Sequence, residues 1–380
     1  MKIALVSGLV AAVLLGAGSA HAQADSVFAV NAAGANLLRL NTDASLVVRG
    51  VAGTGTIPAT GLGERMMWFP ARYAFRAGRL VNTQEDGNGT TYWDAGSVGA
   101  GSSAFGLNTR ASGENSFAAG RASDASGRNS LAFNGTASAV GAVAIGSGAQ
   151  ATNDDALALG PSSIAGGLAS IVLGPSIANG NFGVAIGLQN SASGQFSVAI
   201  GKNARTASRQ GSIVLGDGCA SFSSDSVYPT ANNQFVARGC GGIRFYTTQN
   251  LSAGVQVAAG GSSWSSVSDR NRKENFLSIG SESVLTRLRA VPVTTWNYRS
   301  QDRRIRHIGP MAQDLFAAFG VGESNLLINT VDIDGINLAA VKELDERSVA
   351  QQARIAHLEA KNRELEARLA RLEALLGAQK

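Results

Sequence analysis

The chain has 380 residues, a formal net charge of +5, 47 glycines, and only 16% charged against 44% apolar residues. Its basic residues are spread out and form no cluster interleaved with aromatics, which argues against a nucleic-acid partner. Two cysteines and three histidines make no metal-ligand set, and no Gly-Lys-Ser/Thr follows Gly146 and Gly148, so neither a metal, a phosphate loop nor any cofactor is expected.

In chain order, residues 1–22 read MKIALVSGLVAAVLLGAGSAHA. One lysine, an apolar run and the small-x-small ending Ala20-His21-Ala22 predict a secretory signal peptide cut after Ala22. The run is shorter than the ~20 apolar residues that span a bilayer, and no later stretch is longer, so no transmembrane anchor is expected. The mature protein is therefore placed in the secreted or cell-surface space.

Residues 23–100 carry short strand-like runs such as SVFAV and a compact apolar patch, ERMMWFPARYAFRAG, at 64–78. Such a patch suits a core or a subunit interface better than a ligand-binding face.

Residues 101–218 are an internal repeat. Apolar triplets end in glycine at Gly106, Gly120, Gly146, Gly160, Gly174, Gly187, Gly201 and Gly216, with Asn134 filling the one gap. Successive ends lie 12 to 15 residues apart, and a second series, Gly113, Gly127, Gly141, Gly167, Gly180 and Gly194, runs half a period out of phase. Each unit supplies a short strand, a glycine able to take positive φ, and a polar return. One coil cannot bury its own apolar face, so stacked coils are expected, wound with other chains because each alone offers little core. A disordered linker would not keep VAIG and IVLG in register. The pattern resembles the head repeats of trimeric autotransporter adhesins, which implies a parallel β-roll in a homotrimer. Those adhesins end in a membrane barrel, whereas this chain ends in a charged helix.

Residues 219–267 alternate apolar and polar residues in short runs, as β structure does. Cys219 and Cys240 bound part of this segment. In an oxidising compartment they form an intrachain bridge, pair between subunits, or remain small buried residues; sequence alone fixes no geometry.

From residue 268 the chain changes character, with seventeen Lys or Arg and fifteen Asp or Glu by residue 380, against eleven charged residues over 101–220. In residues 345–380, Ile355, Asn362 and Leu369 at a and Leu358, Leu365 and Leu372 at d make heptads. Arg354, Lys361 and Arg368 at g face Glu359, Glu366 and Glu373 at e, a pattern attractive between parallel helices; a helix folded back on its own domain is the alternative.

Residues 268–344 lie between the repeat and the heptads. SDRNRKENF at 268–276, VLTRLRAVPVTTWNYRS at 284–300, HIGPMAQDL at 307–315 and INLAAVKELDER at 336–347 resemble, in this order, the intramolecular chaperone at the C-terminus of phage endosialidases and tail fibres. The resemblance implies a domain that trimerises, helps the preceding fibre fold and then cuts itself off. It places the cut between Val267 and Ser268, with Ser268 as nucleophile and Lys273 as base. Arg272 departs from the family, where an apolar residue is more common.

A serine next to its own preceding carbonyl needs only a base and a strained peptide bond. Five residues reach up to ~17 Å when extended, so the chain must turn to bring Lys273 back to Ser268. Asp269 and His307 are candidate accessories, His307 being more simply a structural histidine. Read alone, SDRNRK is a helix start capped by Ser268 or Asp269.

The expected fold is mainly β: a trimeric parallel β-roll or β-helix fibre, a small α+β chaperone domain, and a C-terminal parallel coiled coil. The expected function is an exported trimeric fibre whose chaperone domain is a single-turnover serine autopeptidase, with a cell-surface glycan or protein as receptor. Rival readings are an adhesin with a permanently attached trimerising clamp, and a glycan-degrading tailspike. The tailspike needs paired carboxylates, and the repeats offer only Glu114, Asp124, Asp154, Asp155 and Asp217.

Overall fold

A computed structural model describes residues 26–32, 35–84, 87–219, 221 and 223–378. The expected signal peptide, residues 1–22, lies outside the described residues. Contacts divide the chain into two compact units, with the boundary between Gly241 and Gly242.

The first unit is a β-solenoid. Strands at Ser103–Leu107, Phe117–Arg121, Leu131–Ala137, Val143–Ala151, Leu157–Leu159, Ile171–Leu173, Val184–Leu188, Val198–Lys202 and Ile213–Gly216 pair in parallel, each with the next. Every one is the apolar triplet of a repeat. The middle residue points inward, and the column it forms is Ala104, Ala118, Ala132, Ala144, Ala158, Val172, Ala185, Ala199 and Val214, all fully buried. A second buried column, including Ala111, Ala125, Ala151, Ala165, Ala178 and Ala192, comes from the short return strands.

With such small side chains inside, the backbones of facing strands approach closely, and the glycines make this possible. Gly106, Gly120, Gly146, Gly160, Gly174, Gly187 and Gly201 have φ between 94° and 133°, whereas Asn134, where the glycine is missing, is left-handed at φ 53° like Ala122 and Gly148, with which its coil registers. A Cβ on Gly201 would lie 1.8 Å from the Gly216 carbonyl oxygen of the next coil. In the half-period series, Gly113, Gly127, Gly167, Gly180 and Gly194 likewise sit under a carbonyl of the following coil. Gly141 does not belong to that series. Ala139 takes its stacking position beneath Gly127, while Gly141 joins a column of left-handed residues with Asn115, Asn129, Asp155, Phe182 and Phe196. The coil there is two residues shorter, which moved the glycine out of phase.

The ends of the solenoid are closed differently. The 64–78 patch is a hairpin, Gly63–Phe69 against Ala74–Leu80, whose second strand runs parallel to Ser103–Leu107. Met67, Phe69, Ala74 and Leu80 are buried, so the patch is core. Arg76, also fully buried, donates to the Phe75 and Ser102 carbonyls, to Ser102 Oγ and to the Ala111 carbonyl at 2.8–2.9 Å. Burial pushes its guanidinium down to about 10, so it remains cationic at neutral pH, and its hydrogen bonds add to the backbone N–H bonds that the Ser102 and Ala111 carbonyls already accept. At the other end Phe235–Ala237 adds a last parallel strand, and Cys219 and Cys240 are joined in a disulfide. The Asp217 carboxylate beside them accepts from the Cys240 N–H and from Arg238 Nε, which holds it below the usual carboxylate range.

The second unit opens with an antiparallel sheet of Ile243–Tyr246, Gly254–Val257 and Ser265–Ser266. Three helices follow: α1 (Ser281–Arg289), α2 (Ala312–Phe319) and α3 (Thr330–Gly377). Val284, Leu285, Val291, Leu315, Ile336 and Ala340 form a small core among them. Helix α3 then continues through the heptads without a break, and from 351 to 376 each side chain is exposed.

Gly201→Ala is expected to lower the stability of the solenoid by at least ~2 kcal/mol, since strain at positive φ adds to the contact with the next coil. Thermal unfolding followed by circular dichroism would measure this; an unchanged melting temperature would show that the coils are not held at this spacing.

Candidate functional site

The strand Ser265–Ser266 pairs with Gly254–Val257, and the Val267 N–H continues the ladder by donating to the Gly254 carbonyl. Val267 is thus held as the last residue of a sheet. Directly after Ser268 the chain turns. Asp269 is the N-cap of the 3-10 turn Arg270–Arg272: its carboxylate accepts from the Asn271 N–H at 2.9 Å, and Lys273 closes the turn by donating its N–H to the Arg270 carbonyl.

This turn folds the five-residue spacing back on itself. Lys273 Nζ donates to Ser268 Oγ at 2.7 Å. The capping of a short helical turn and the serine–lysine contact, which the sequence presents as competing readings, are two parts of one geometry. Asp269 acts here through the backbone, and also faces Arg272, with Nε 3.7 Å from its carboxylate.

Arg272 supplies the long-range anchor. Its Nη1 donates to the Leu251 carbonyl at 2.7 Å, tying the turn to the loop between the first two strands of the sheet. Sequence reasoning passed over Leu251 and Gly254; the one available signal was Arg272 itself, a cation where an apolar residue was expected. Arg270 lies over the Phe276 ring, 5.8 Å from its centroid.

His307 lies elsewhere in the unit. It pairs with Trp296 across a two-stranded ladder, Thr294–Trp296 against His307–Gly309. Its ring packs on Trp296 and Tyr298 at centroid distances of 4.8 and 5.5 Å, and Nε2 meets Gln301 Oε1 at 2.9 Å. No hydrogen bond joins it to Ser268 or Lys273 among the described residues.

The arrangement offers a serine hydroxyl on the residue that follows the Val267 carbonyl, a lysine in contact with that hydroxyl, and a backbone fixed on both sides. Residues 268–321 match the family described as chaperone of endosialidase. Ahead of them, copies of the YadA head domain repeat match between residues 97 and 204. No curated protein matches the chain. The two matches together mark a fibre- or adhesin-type protein of a kind that self-associates as trimers. Among the described residues no helix is long and apolar enough to cross a membrane.

The cap can be tested apart from any chemistry. Asp269→Ala removes a side-chain cap worth about 1 kcal/mol, so the Asn271 and Lys273 amides should exchange with solvent roughly fivefold faster. Hydrogen exchange by NMR reads this directly. Unchanged exchange would leave Arg272 and Leu251 as the contacts that hold the turn.

Proposed function

We propose that the protein is an exported homotrimeric fibre whose segment 268–344, with the helix that follows, templates trimerisation and folding and then releases itself by cutting the Val267–Ser268 bond. The observation that carries the reading is the 2.7 Å contact between Lys273 Nζ and Ser268 Oγ at the first residue of the matched chaperone segment.

The chemistry follows from that contact. Lysine in its amine form takes the hydroxyl proton, and Ser268 Oγ attacks the Val267 carbonyl carbon. The C–N bond breaks as the Ser268 nitrogen receives the proton from Lys273, leaving an ester between the Val267 acyl group and Oγ. Water then hydrolyses the ester to a Val267 carboxylate and a free Ser268 hydroxyl. The nucleophile and the scissile bond share one chain, so each copy turns over once.

Trimerisation is supported in each unit separately. Outward-facing residues on either side of the alanine column are apolar, among them Phe105, Phe117, Phe133, Ile145, Ile171, Leu173, Ile200 and Ile213, and these are solvent-exposed in the single chain. On α3, Ile355, Leu358, Leu365, Leu369 and Leu372 are exposed as well. A single helix has no reason to present a sustained a/d stripe to water.

Intact mass of the purified mature protein beside Ser268→Ala tests the cut. Wild type is expected to appear as two fragments divided before Ser268, and the variant as one chain; Lys273→Ala should also remain whole. An intact wild-type chain that is still trimeric would make the C-terminal region a permanent clamp. Trimerisation has its own test: Leu365→Glu puts three carboxylates at one a/d layer and should shift the mass by light scattering from trimer towards monomer, whereas an unchanged trimer would remove the helix from the interface.

A further inference from the structure

The two strand faces of the solenoid differ in kind. Flanking the alanine column of the long strands the outward residues are apolar, whereas the outward column of the return strands runs Arg110, Asp124, Thr136, Gln150, Ile164, Ile177, Ser191 and Arg205. On the trimer reading above, the apolar face is covered by neighbouring chains and the return-strand face stays open to solvent.

A groove crosses that open face near its end. Ser162, Pro175, Ile177, Gln189, Ser191 and Arg205 line a part of about 310 Å³. Arg205 also borders its continuation of about 400 Å³, which ends at Tyr228. Arg205 is half-buried and fixed in place: its Nε donates to Ser226 Oγ at 2.8 Å and its backbone N–H to the Val227 carbonyl. Two other partly exposed solenoid arginines are held by acids. Arg110 has Asp124 and Arg238 has Asp217, but among the described residues no carboxylate pairs with Arg205. The Gln189 amide and the Ser162 and Ser191 hydroxyls face the same groove with no protein partner among the described residues. Tyr228, 59% exposed, presents its ring at one end.

We propose that this groove binds an acidic oligosaccharide, with Arg205 pairing to a hexuronate carboxylate. A preoriented guanidinium suits a planar carboxylate in two-point contact. Hydroxyl and amide groups that both donate and accept suit the neighbouring hydroxyls of a sugar ring, and an exposed tyrosine suits the apolar face of such a ring. A single guanidinium without further basic residues is a poor match to a nucleic-acid backbone, and the groove has no deep apolar anchor site of the kind a protein partner fills. Three copies per fibre would raise the apparent affinity for a polymeric glycan.

The test uses the full mature chain and tetrasaccharides of alternating hexuronate and hexosamine, with the same compounds after reduction of the carboxyls to alcohols. Calorimetric titration should show binding of the acidic compounds and about tenfold weaker binding of the reduced ones. Arg205→Gln should lose a similar factor, Tyr228→Ala several-fold, and Arg209→Gln nothing. Light scattering and intact mass on the same samples report assembly and cleavage, so a failure of the trimer reading is seen separately from a failure of the groove. Equal binding of acidic and reduced compounds, wild-type affinity in Arg205→Gln, or binding of an acidic peptide in place of the saccharides would each overturn the proposal.

Discussion

The solenoid has room for only an alanine or a valine per strand at its centre, and most of the first unit follows from that limit. A residue larger than alanine or valine would push the two strand layers apart, so the inward column is alanine with valine at 172 and 214. Layers that close bring backbone against backbone at the turns, where a Cβ would strike the next coil's carbonyl and glycine is needed. Polar side chains near the corners turn back onto the chain: Ser116, Ser130 and Ser197 each donate to the carbonyl three residues earlier. These bonds satisfy groups that the narrow interior hides from water.

The same limit sends the larger apolar residues outward. Burying a methyl group contributes about 0.8 kcal/mol, and an isoleucine or phenylalanine about 1.5–3 kcal/mol. More transfer free energy thus lies on the outer flanks of the long strands than inside the coil. A chain built this way gains its larger hydrophobic contribution only by association. The second unit repeats the arrangement with different elements: six buried residues hold α1, α2 and the start of α3 together, while the remaining length of α3 keeps its leucines exposed. In both units the fold within one chain is completed by backbone hydrogen bonds and small cores, and the large apolar faces are left for copies of itself.

How far this was legible in the sequence depended on the range of the interactions. The repeat was readable because the glycines are steric requirements with a fixed period; Asn134, which fills the gap in that spacing, instead takes the left-handed position of Ala122 and Gly148 in a shorter coil. Gly141 misled because one coil is shorter, and a count of residues cannot distinguish a stacking glycine from a turning one. Arg76 was invisible in its role: an arginine in an apolar patch reads as surface until the chain places the Ser102 and Ala111 carbonyls around it. At the candidate site the local half was legible, since a Ser-Asp start, a capped turn and a lysine five residues on specify one another. Its anchors, the Leu251 carbonyl in a loop and the Gly254 carbonyl in a strand, come from a segment whose alternation marks strands but not which carbonyls the turn meets.

Those anchors bear on what a cut at residue 268 would do. The Gly254–Val267 bond lies wholly upstream of the Val267–Ser268 peptide, and the sheet that includes it closes before Ser268. The small core of α1, α2 and α3 lies wholly downstream. Among the described residues, the one hydrogen bond that spans the cut within this unit is Arg272 to the Leu251 carbonyl, and Arg272 is not buried. An exposed charge-assisted bond of this kind, which water readily replaces, contributes little to holding two separate chains together. The turn is therefore anchored on both sides of the bond while the chain is whole, and breaking that bond removes most of what couples the two sides. On the proposed reading, a turn that depends on covalent continuity at residue 268 is suited to a reaction that happens once.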